Sequence, residues 1–308
     1  MRANVSRRTR NTGSSSPRDA VPAGVPERPE EIRRTLSALG VRPSRRRGQS
    51  FLADPFVADA EAALVTDIVP GPILEIGGGL GILTAALLRR GVRLLAVVER
   101  DPRLARFLQA TFGDSVSVRE EDATSTDLAG VRCVVGNLPY SLATPILLRC
   151  FAARVPRTVF LVQREVAERL AASPGTRRYG RLALAARLYG EVELFQTVPA
   201  RAFEPTPEVE GRLAVHRARI GPLPVPSVPV FERAVRTLFR ARRKQLGNLL
   251  PALAGSSGAA DRLAEASGWP PGWPTRRPEE LPPEAFFALA THLAAPVAPR
   301  GVPVDRRA

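Results

Sequence analysis

Lysine is almost missing from this chain of 308 residues, where Lys244 is the only one, yet the formal net charge is +15. Arginine therefore carries nearly all the positive charge, a bias that reads as codon usage in a GC-rich genome rather than selection for guanidinium chemistry. Cysteine and histidine are scarce too, at two each. Cys133 and Cys150 lie in apolar stretches without metal-ligand or redox spacing. With only His216 and His292 to join them, no metal site is expected. Both cysteines read as small buried hydrophobes of a reducing compartment. No apolar run reaches the length of a membrane span, and no apolar stretch follows the arginine-rich N-terminus to make a signal peptide. The expectation is a soluble, cytoplasmic protein with no membrane partner. What the chain has in excess is positive charge, which favours a polyanion such as nucleic acid.

Length fits one domain of ordinary size plus a smaller one. Residues 1–29 are rich in Ser, Pro, Arg and Gly without apolar periodicity and read as a disordered basic tail. From there to residue 219, strand-like runs alternate with helical stretches: Ile73–Ile76, Leu94–Val98, Val116–Val118, Val131–Gly136 and Thr158–Val162, then Val192–Val198 and Arg212–His216. Such alternation implies an α/β fold, a Rossmann-like, mostly parallel sheet covered on both faces. Residues 220–230 are proline-rich and read as a linker. Residues 231–295, opening with FERAVRTLFRARRKQLGNLLPAL, read as a small all-helical C-terminal domain, and 296–308 as a second basic tail.

Glu75-Ile76-Gly77-Gly78-Gly79-Leu80-Gly81 closes the first of these strands and opens a helix. Glycines there, Gly77 and Gly79 foremost, let a ligand approach the backbone with no Cβ in the way. The spacing is G-x-G-x-G, since Ile82 stands where a dinucleotide fold has its third glycine. Taken alone, a plain tight turn explains the loop as well. Two acids add weight: Glu99 ends the second strand where a carboxylate can hold ribose hydroxyls, and Asp122 follows the third where it can accept from an adenine amine. This order resembles that of S-adenosylmethionine-dependent methyltransferases, whereas a nicotinamide enzyme would need a hydride-transfer site that has no candidate here.

Asn137-Leu138-Pro139-Tyr140 follows the fourth strand, at the carboxyl edge where open α/β sheets bind ligands. The exocyclic nitrogen of adenine is a poor nucleophile because its lone pair is delocalised into the ring. The Asn137 side-chain oxygen and a backbone carbonyl such as that of Leu138 can accept its two hydrogens and localise that pair, stabilising the transition state with fixed dipoles. Pro139 stiffens the turn and Tyr140 offers a stacking face. No general base is needed before attack, because the product nitrogen is acidic. Read alone, the tetrapeptide is also an ordinary strand-ending turn. Phe203, in Phe203-Glu204-Pro205-Thr206-Pro207, is the candidate second wall of a base pocket; its alternative is a ring packed under a surface loop.

With Gly48-Gln49-Ser50-Phe51-Leu52, Leu161-Val162-Gln163-Arg164-Glu165 and Phe239-Arg240-Ala241-Arg242-Arg243-Lys244-Gln245-Leu246-Gly247-Asn248, these segments resemble the KsgA-type small-subunit rRNA adenine dimethyltransferases. They resemble the Erm large-subunit enzymes of the same superfamily more distantly. The resemblance implies cofactor contacts at Ser50, Leu52, Gly77, Glu99, Asp122 and Asn137. It also implies successive dimethylation of two adjacent adenines in a small-subunit rRNA hairpin, on a ribosome assembly intermediate. An Erm-type enzyme conferring antibiotic resistance and a non-catalytic assembly factor are the rival readings. The family usually has asparagine where Ser50 and Ser141 stand, lysine at Glu208 and serine at Gly211. Monomer is the default oligomeric state.

Charge is uneven. Residues 1–50 hold twelve arginines against four acids, and residues 231–250 six basic residues against one acid. A charge run is usually a solvated face. Two flanking one presumed base pocket point instead to phosphate contacts, by Arg45, Arg46 and Arg47 on one side and Arg240, Arg242, Arg243 and Lys244 on the other.

Overall fold

Apolar runs such as Ile73–Ile76 and Val159–Val162 suit strands buried on both faces, and the fold is built round them. A computed structural model describes residues 24–43, 49–66, 71–139 and 141–295. In chain order its elements are α1 (Pro29–Ala38), β1 (Phe51–Leu52), α2 (Pro55–Thr66), β2 (Ile73–Ile76), α3 (Ile82–Arg89), β3 (Leu95–Glu99), α4 (Pro102–Phe112), β4 (Ser117–Glu120), β5 (Cys133–Asn137) and α5 (Ala143–Ala152). There follow β6 (Arg157–Gln163), α6 (Arg164–Leu170), α7 (Arg181–Tyr189), β7 (Gly190–Val198), β8 (Phe203–Glu204), β9 (Gly211–Ala218), α8 (Val228–Phe239), α9 (Pro251–Ala254), α10 (Ser257–Ala266) and α11 (Pro283–Ala294).

Seven strands form one sheet in the order β4-β3-β2-β5-β6-β9-β7. The first five are parallel, β9 runs antiparallel to β6, and β7 antiparallel to β9. The chain leaves β2 towards β3 and β4, then returns to place β5 on the other side of β2. That reversal makes a crevice at the carboxyl ends of β2 and β5, the standard ligand position of open α/β sheets. The expected Rossmann-like architecture is present, with each anticipated strand found to within two residues of its ends.

One buried cluster covers one face and runs without a break from Ile146 and Phe160 to Phe286 and Leu289 of α11, so the C-terminal helices share the core of the α/β layer. The opposite face, under α2 and α3, has its own cluster around Val97, Val135 and Leu161. A third, smaller cluster seats α1 on Leu80 of the glycine loop and Leu104 of α4. Cys133 and Cys150 are buried and unpaired, as expected, and burial pushes both thiols up to about 12. Among the described residues no helix is long and apolar enough to cross a membrane.

Three expectations need correction. Residues 24–29 are not loose tail: Pro26 is buried, Val25 packs on the α2–α3 face and Glu27 pairs with Arg89 at 3.8 Å. The Glu31 carboxylate accepts the amide hydrogens of Glu27 and Arg28, which caps α1. Helix α8 begins at Val228, inside the stretch read as linker, because Pro229 falls in the first turn, where a missing N–H costs nothing. The helix expected to continue through Arg240–Lys244 stops at Phe239. Arg242 Nε donates to Glu279 at 2.6 Å, and the buried Leu246 donates its amide to the Arg276 carbonyl at 2.8 Å. These long-range contacts outweigh local helix propensity. Residues 1–23, 296–308, Arg45, Arg46, Arg47 and Tyr140 lie outside the described residues.

Candidate active site

The glycine loop contains two kinds of glycine. Gly77 has φ +76°, and a Cβ placed on it would meet nothing nearer than the Asn137 carbonyl oxygen at 3.9 Å, so open space lies where a side chain would stand. At Gly81 a Cβ would lie 2.5 Å from the Phe112 ring, so that glycine serves the packing of α4 behind the loop. Gly79 (φ +56°) is fixed from below, because its N–H donates to Glu99 Oε2 at 3.0 Å.

The other oxygen of Glu99 accepts the Asp101 amide at 2.9 Å. One carboxylate thus locks the glycine loop to the β3–α4 turn while lining the cleft. Burial raises its pKa, and the amides of Asp101 and Gly79 oppose the shift. Asp122, beyond the end of β4, is oriented by Thr124, whose amide and hydroxyl both donate to Oδ1, at 2.8 and 2.6 Å. Those bonds hold its pKa below the usual range. Its Oδ2 lies 3.3 Å from the Arg100 guanidinium.

Sequence reasoning passed over two charged groups, Arg100 and Glu61. Glu75, which opens the glycine motif, is buried near the end of β2, accepts the Thr84 hydroxyl at 2.7 Å and is pushed up to about 8 by burial. Glu61 of α2 is fully buried, and neither of its oxygens makes a hydrogen bond of good geometry. Burial first, then Glu75, raises its pKa well above the carboxylate range, and the amides of Gly136 and Leu161 offset only part of this. An acid inside a helix that carries almost no amphipathic signal leaves no trace that reading residue types would catch.

Across the crevice, Asn137 ends β5 and pairs with Leu161 of β6. Its Nδ2 donates to the Ser50 carbonyl oxygen at 3.4 Å, leaving Oδ1 as the acceptor end. The contact uses the main chain of Ser50, so it does not depend on the asparagine side chain that the family usually has there. Leu138 is buried and donates its amide to the Leu161 carbonyl at 3.1 Å, while Pro139 is half-buried at the start of a turn closed by Leu142 N–H on the Pro139 carbonyl at 2.9 Å. The segment holding Ser50 and Leu52 is tied to the Phe203 loop by a two-strand ladder, Phe51 opposite Glu204 and Leu52 opposite Phe203, extended by Ala53 N–H on the Ala202 carbonyl at 2.7 Å. Phe203 is only 2% exposed, yet it lines the same cleft as Asn137, Glu99 and Asp122, a space of about 860 Å³.

The arginine-rich segment is not in that cleft. Arg240, Arg243 and Lys244 are exposed, whereas Arg242 is half-buried and bound to Glu279 and to the Arg177 carbonyl. Arg242 is therefore a structural tie between chain segments.

The family model described as ribosomal RNA adenine dimethylase matches residues 42–262. The chain belongs to that family. It is 40% identical over 235 residues to the ribosomal RNA small subunit methyltransferase A of Anaeromyxobacter dehalogenans, covering 71% of this chain and 82% of the relative. It is 37% identical over 272 residues to the protein of the same name from Rhodospirillum rubrum, covering 84% and 91%. In fold it is similar to a dimethyladenosine transferase from Plasmodium falciparum (TM-score 0.63, 21% identity, 78% of this chain and 95% of that one). It is also similar to the 23S rRNA methyltransferase ErmE (TM-score 0.59, 23% identity, 79% and 99%). The family's methyl donor is S-adenosylmethionine. The cleft fits it: an open glycine backbone at Gly77, and carboxylates of opposite protonation tendency at the ends of adjacent strands.

Proposed function

We propose that this methyltransferase dimethylates the exocyclic N6 amine of two adjacent adenines in a small-subunit rRNA hairpin, on an assembly intermediate, in the cytoplasm and as a monomer. The observation that carries the reading is the orientation of Asn137: with Nδ2 held by Ser50, the side chain presents Oδ1, an acceptor, at the crevice. An amine with two hydrogens to give is the matching substrate group. The Asn137 Oδ1 takes one hydrogen and the Leu138 carbonyl the other, so the nitrogen lone pair localises and positive charge develops against fixed dipoles. Bound S-adenosylmethionine supplies an electrophilic methyl on a sulfonium centre. Glu99 holds the ribose hydroxyls, Asp122 accepts from the cofactor's adenine amine, and Ser50, Leu52, Gly77 and Gly79 contribute backbone around it. Phe203 and Tyr140 wall the target base, and Pro139 stiffens the turn that follows β5. The surplus proton leaves to water, so no base is assigned.

The small-subunit address is supported by relatives at 37–40% identity that carry that name, whereas the likeness to ErmE is one of fold. We read the chain as a methyltransferase domain that takes in residues 24–29 and runs to residue 219, with a helical part that begins at Val228, shares its core and extends the RNA surface. Arg45, Arg46 and Arg47, together with Arg240, Arg243 and Lys244, supply phosphate contacts, with Arg242 bracing the second group. Mass spectrometry of methylated adenines in both ribosomal RNAs, with and without the gene, tests this. Loss of small-subunit dimethyladenine is expected; a change confined to the large subunit, or none, refutes it. RNA affinity measured between 50 and 200 mM salt is expected to fall steeply, by roughly 10³-fold or more if about six phosphates are contacted.

A further inference from the structure

Asp122 sits in a loop that is shaped from within. Thr124 gives its amide and hydroxyl to the carboxylate, and the amides of Ser125 and Thr126 both reach the Asp122 carbonyl, at 2.9 and 3.1 Å. The Thr126 hydroxyl donates to Glu121. These bonds fix the form of the loop and the direction of the carboxylate. They do not fix the place of the loop beside the cleft. Two bonds from another element do, and both come from Arg149 of α5: Nη1 donates to the Ala123 carbonyl and Nη2 to the Thr126 carbonyl, each at 2.8 Å. Leu142 and Ile146 at the head of α5 line the cleft together with Glu121, Asp122 and Ala123. Arg149 follows Ile146 by three residues, on the same face of the helix, and so stands half-buried beneath that part of the cleft. Two carbonyls three residues apart suit the rigid fork of a guanidinium, which the single nitrogen of an ammonium does not reproduce.

We propose that Arg149 is a positioning residue for the cofactor: by clamping the Asp122 loop to α5, it sets where the Asp122 carboxylate meets the purine amine. This rests on the reading of Asp122 as the acceptor of that amine. Without the clamp, the carbonyls of Ala123 and Thr126 lose their charged donor. The loop keeps its internal shape but is released from α5, and the carboxylate moves with it. Thr124 does not prevent this, because it travels with Asp122. Glu99, held by Gly79 and Asp101, stays where it was. The loss therefore falls on the purine and not on the ribose.

The test measures, by calorimetry on the full chain, the Kd for S-adenosylhomocysteine and for S-inosylhomocysteine, in which a carbonyl replaces the purine amine. Asp122→Ala is the control for the amine contact and should bring the two affinities to within about threefold of each other. Arg149→Met keeps the length of the side chain and removes the fork. It should weaken S-adenosylhomocysteine by about tenfold, a loss of about 1.4 kcal/mol, while S-inosylhomocysteine stays within about twofold. Arg149→Lys keeps the charge without the fork and should lose about threefold or more of the parent's preference for the amine. Equal weakening of both ligands in Arg149→Met would mean general damage to the cleft and overturns the proposal. A parent-like preference in Arg149→Lys also overturns it, since charge alone would then suffice. If Asp122→Ala still prefers the amine, the reading of Asp122 fails and the proposal fails with it. If Asp122→Ala loses the preference and Arg149→Met keeps it, the proposal alone fails. Should Arg149→Met not fold, Arg149→Lys carries the test by itself: a reduced preference supports the clamp, and an unchanged one overturns it.

Discussion

The two ends of the cleft are held in different ways. At the cofactor end, each acid is oriented by a neighbour close in the chain or on the next strand. Glu99 takes the amides of Gly79 and Asp101, and Thr124 orients Asp122 through two bonds. At the base end the ties are long-range: Asn137 to Ser50, Leu52 opposite Phe203, and Ala53 to the Ala202 carbonyl. A site fixed by short local bonds is preorganised once its strands form. A site fixed by distant segments is only as good as the packing that brings them together, and it is where a family can change its target without losing its donor.

Asn137→Ala should have the largest effect. Removing one fixed dipole from a transition state typically costs about 10²–10³-fold in kcat. Single-turnover methylation should fall by about that factor while S-adenosylhomocysteine still binds; retained turnover would break the assignment of Oδ1. Glu99→Ala should reverse the pattern. It strips the ribose of its acceptor and leaves the amides of Gly79 and Asp101 without one. Charged hydrogen bonds of this kind are worth about 1.5–3 kcal/mol, so calorimetry should show cofactor affinity lowered by roughly tenfold to a hundredfold. If the two variants gave the same profile, the cleft would not divide as described.

The same division explains what was legible in the sequence. Strands β2 to β6, the loop that ends β2, Glu99, Asp122 and Asn137 are local patterns: an apolar run, then a glycine or a polar residue at its carboxyl end. Strands β1 and β8 are two residues each and carry no periodicity, so the ladder joining Leu52 to Phe203 leaves no mark in the chain. Helix α2 also went unread, since its apolar residues do not gather on one face and Glu61 sits among them. The arginine-rich stretch after Phe239 has good helical propensity, and it is broken by contacts to Glu279 and Arg276 that span 37 and 30 positions.

Glu61 sharpens the comparison from the side of stability. A buried carboxyl without a well-made hydrogen bond costs about 1–3 kcal/mol, and Glu61→Leu removes it from beneath β5 and β6. Urea denaturation should therefore show a more stable variant. The sign of the pH effect follows from the raised pKa. Such a group penalises the folded state increasingly as pH rises above its unfolded value towards its folded one. The advantage of Glu61→Leu over the parent should be small at pH 5 and larger at pH 8. A variant less stable than the parent, or an advantage that shrinks with pH, would mean that the acid is satisfied by the base end and belongs to it.

Arg100 should give the smallest effect, and the reason is instructive. Its guanidinium spans from the end of β3 to Asp122 across the mouth of the cofactor end, which invites the view that it latches the cleft. Its side chain is 72% exposed, however, and ion pairs of that kind are worth about 0–1 kcal/mol. Asp122 keeps its orientation without it, because Thr124 supplies both bonds to Oδ1. Arg100→Ala should shift cofactor affinity by less than about fivefold, with the difference fading as salt is raised. A larger or salt-independent loss would show that the cofactor end, too, depends on a side chain reaching across the cleft, and the contrast between its two ends would narrow.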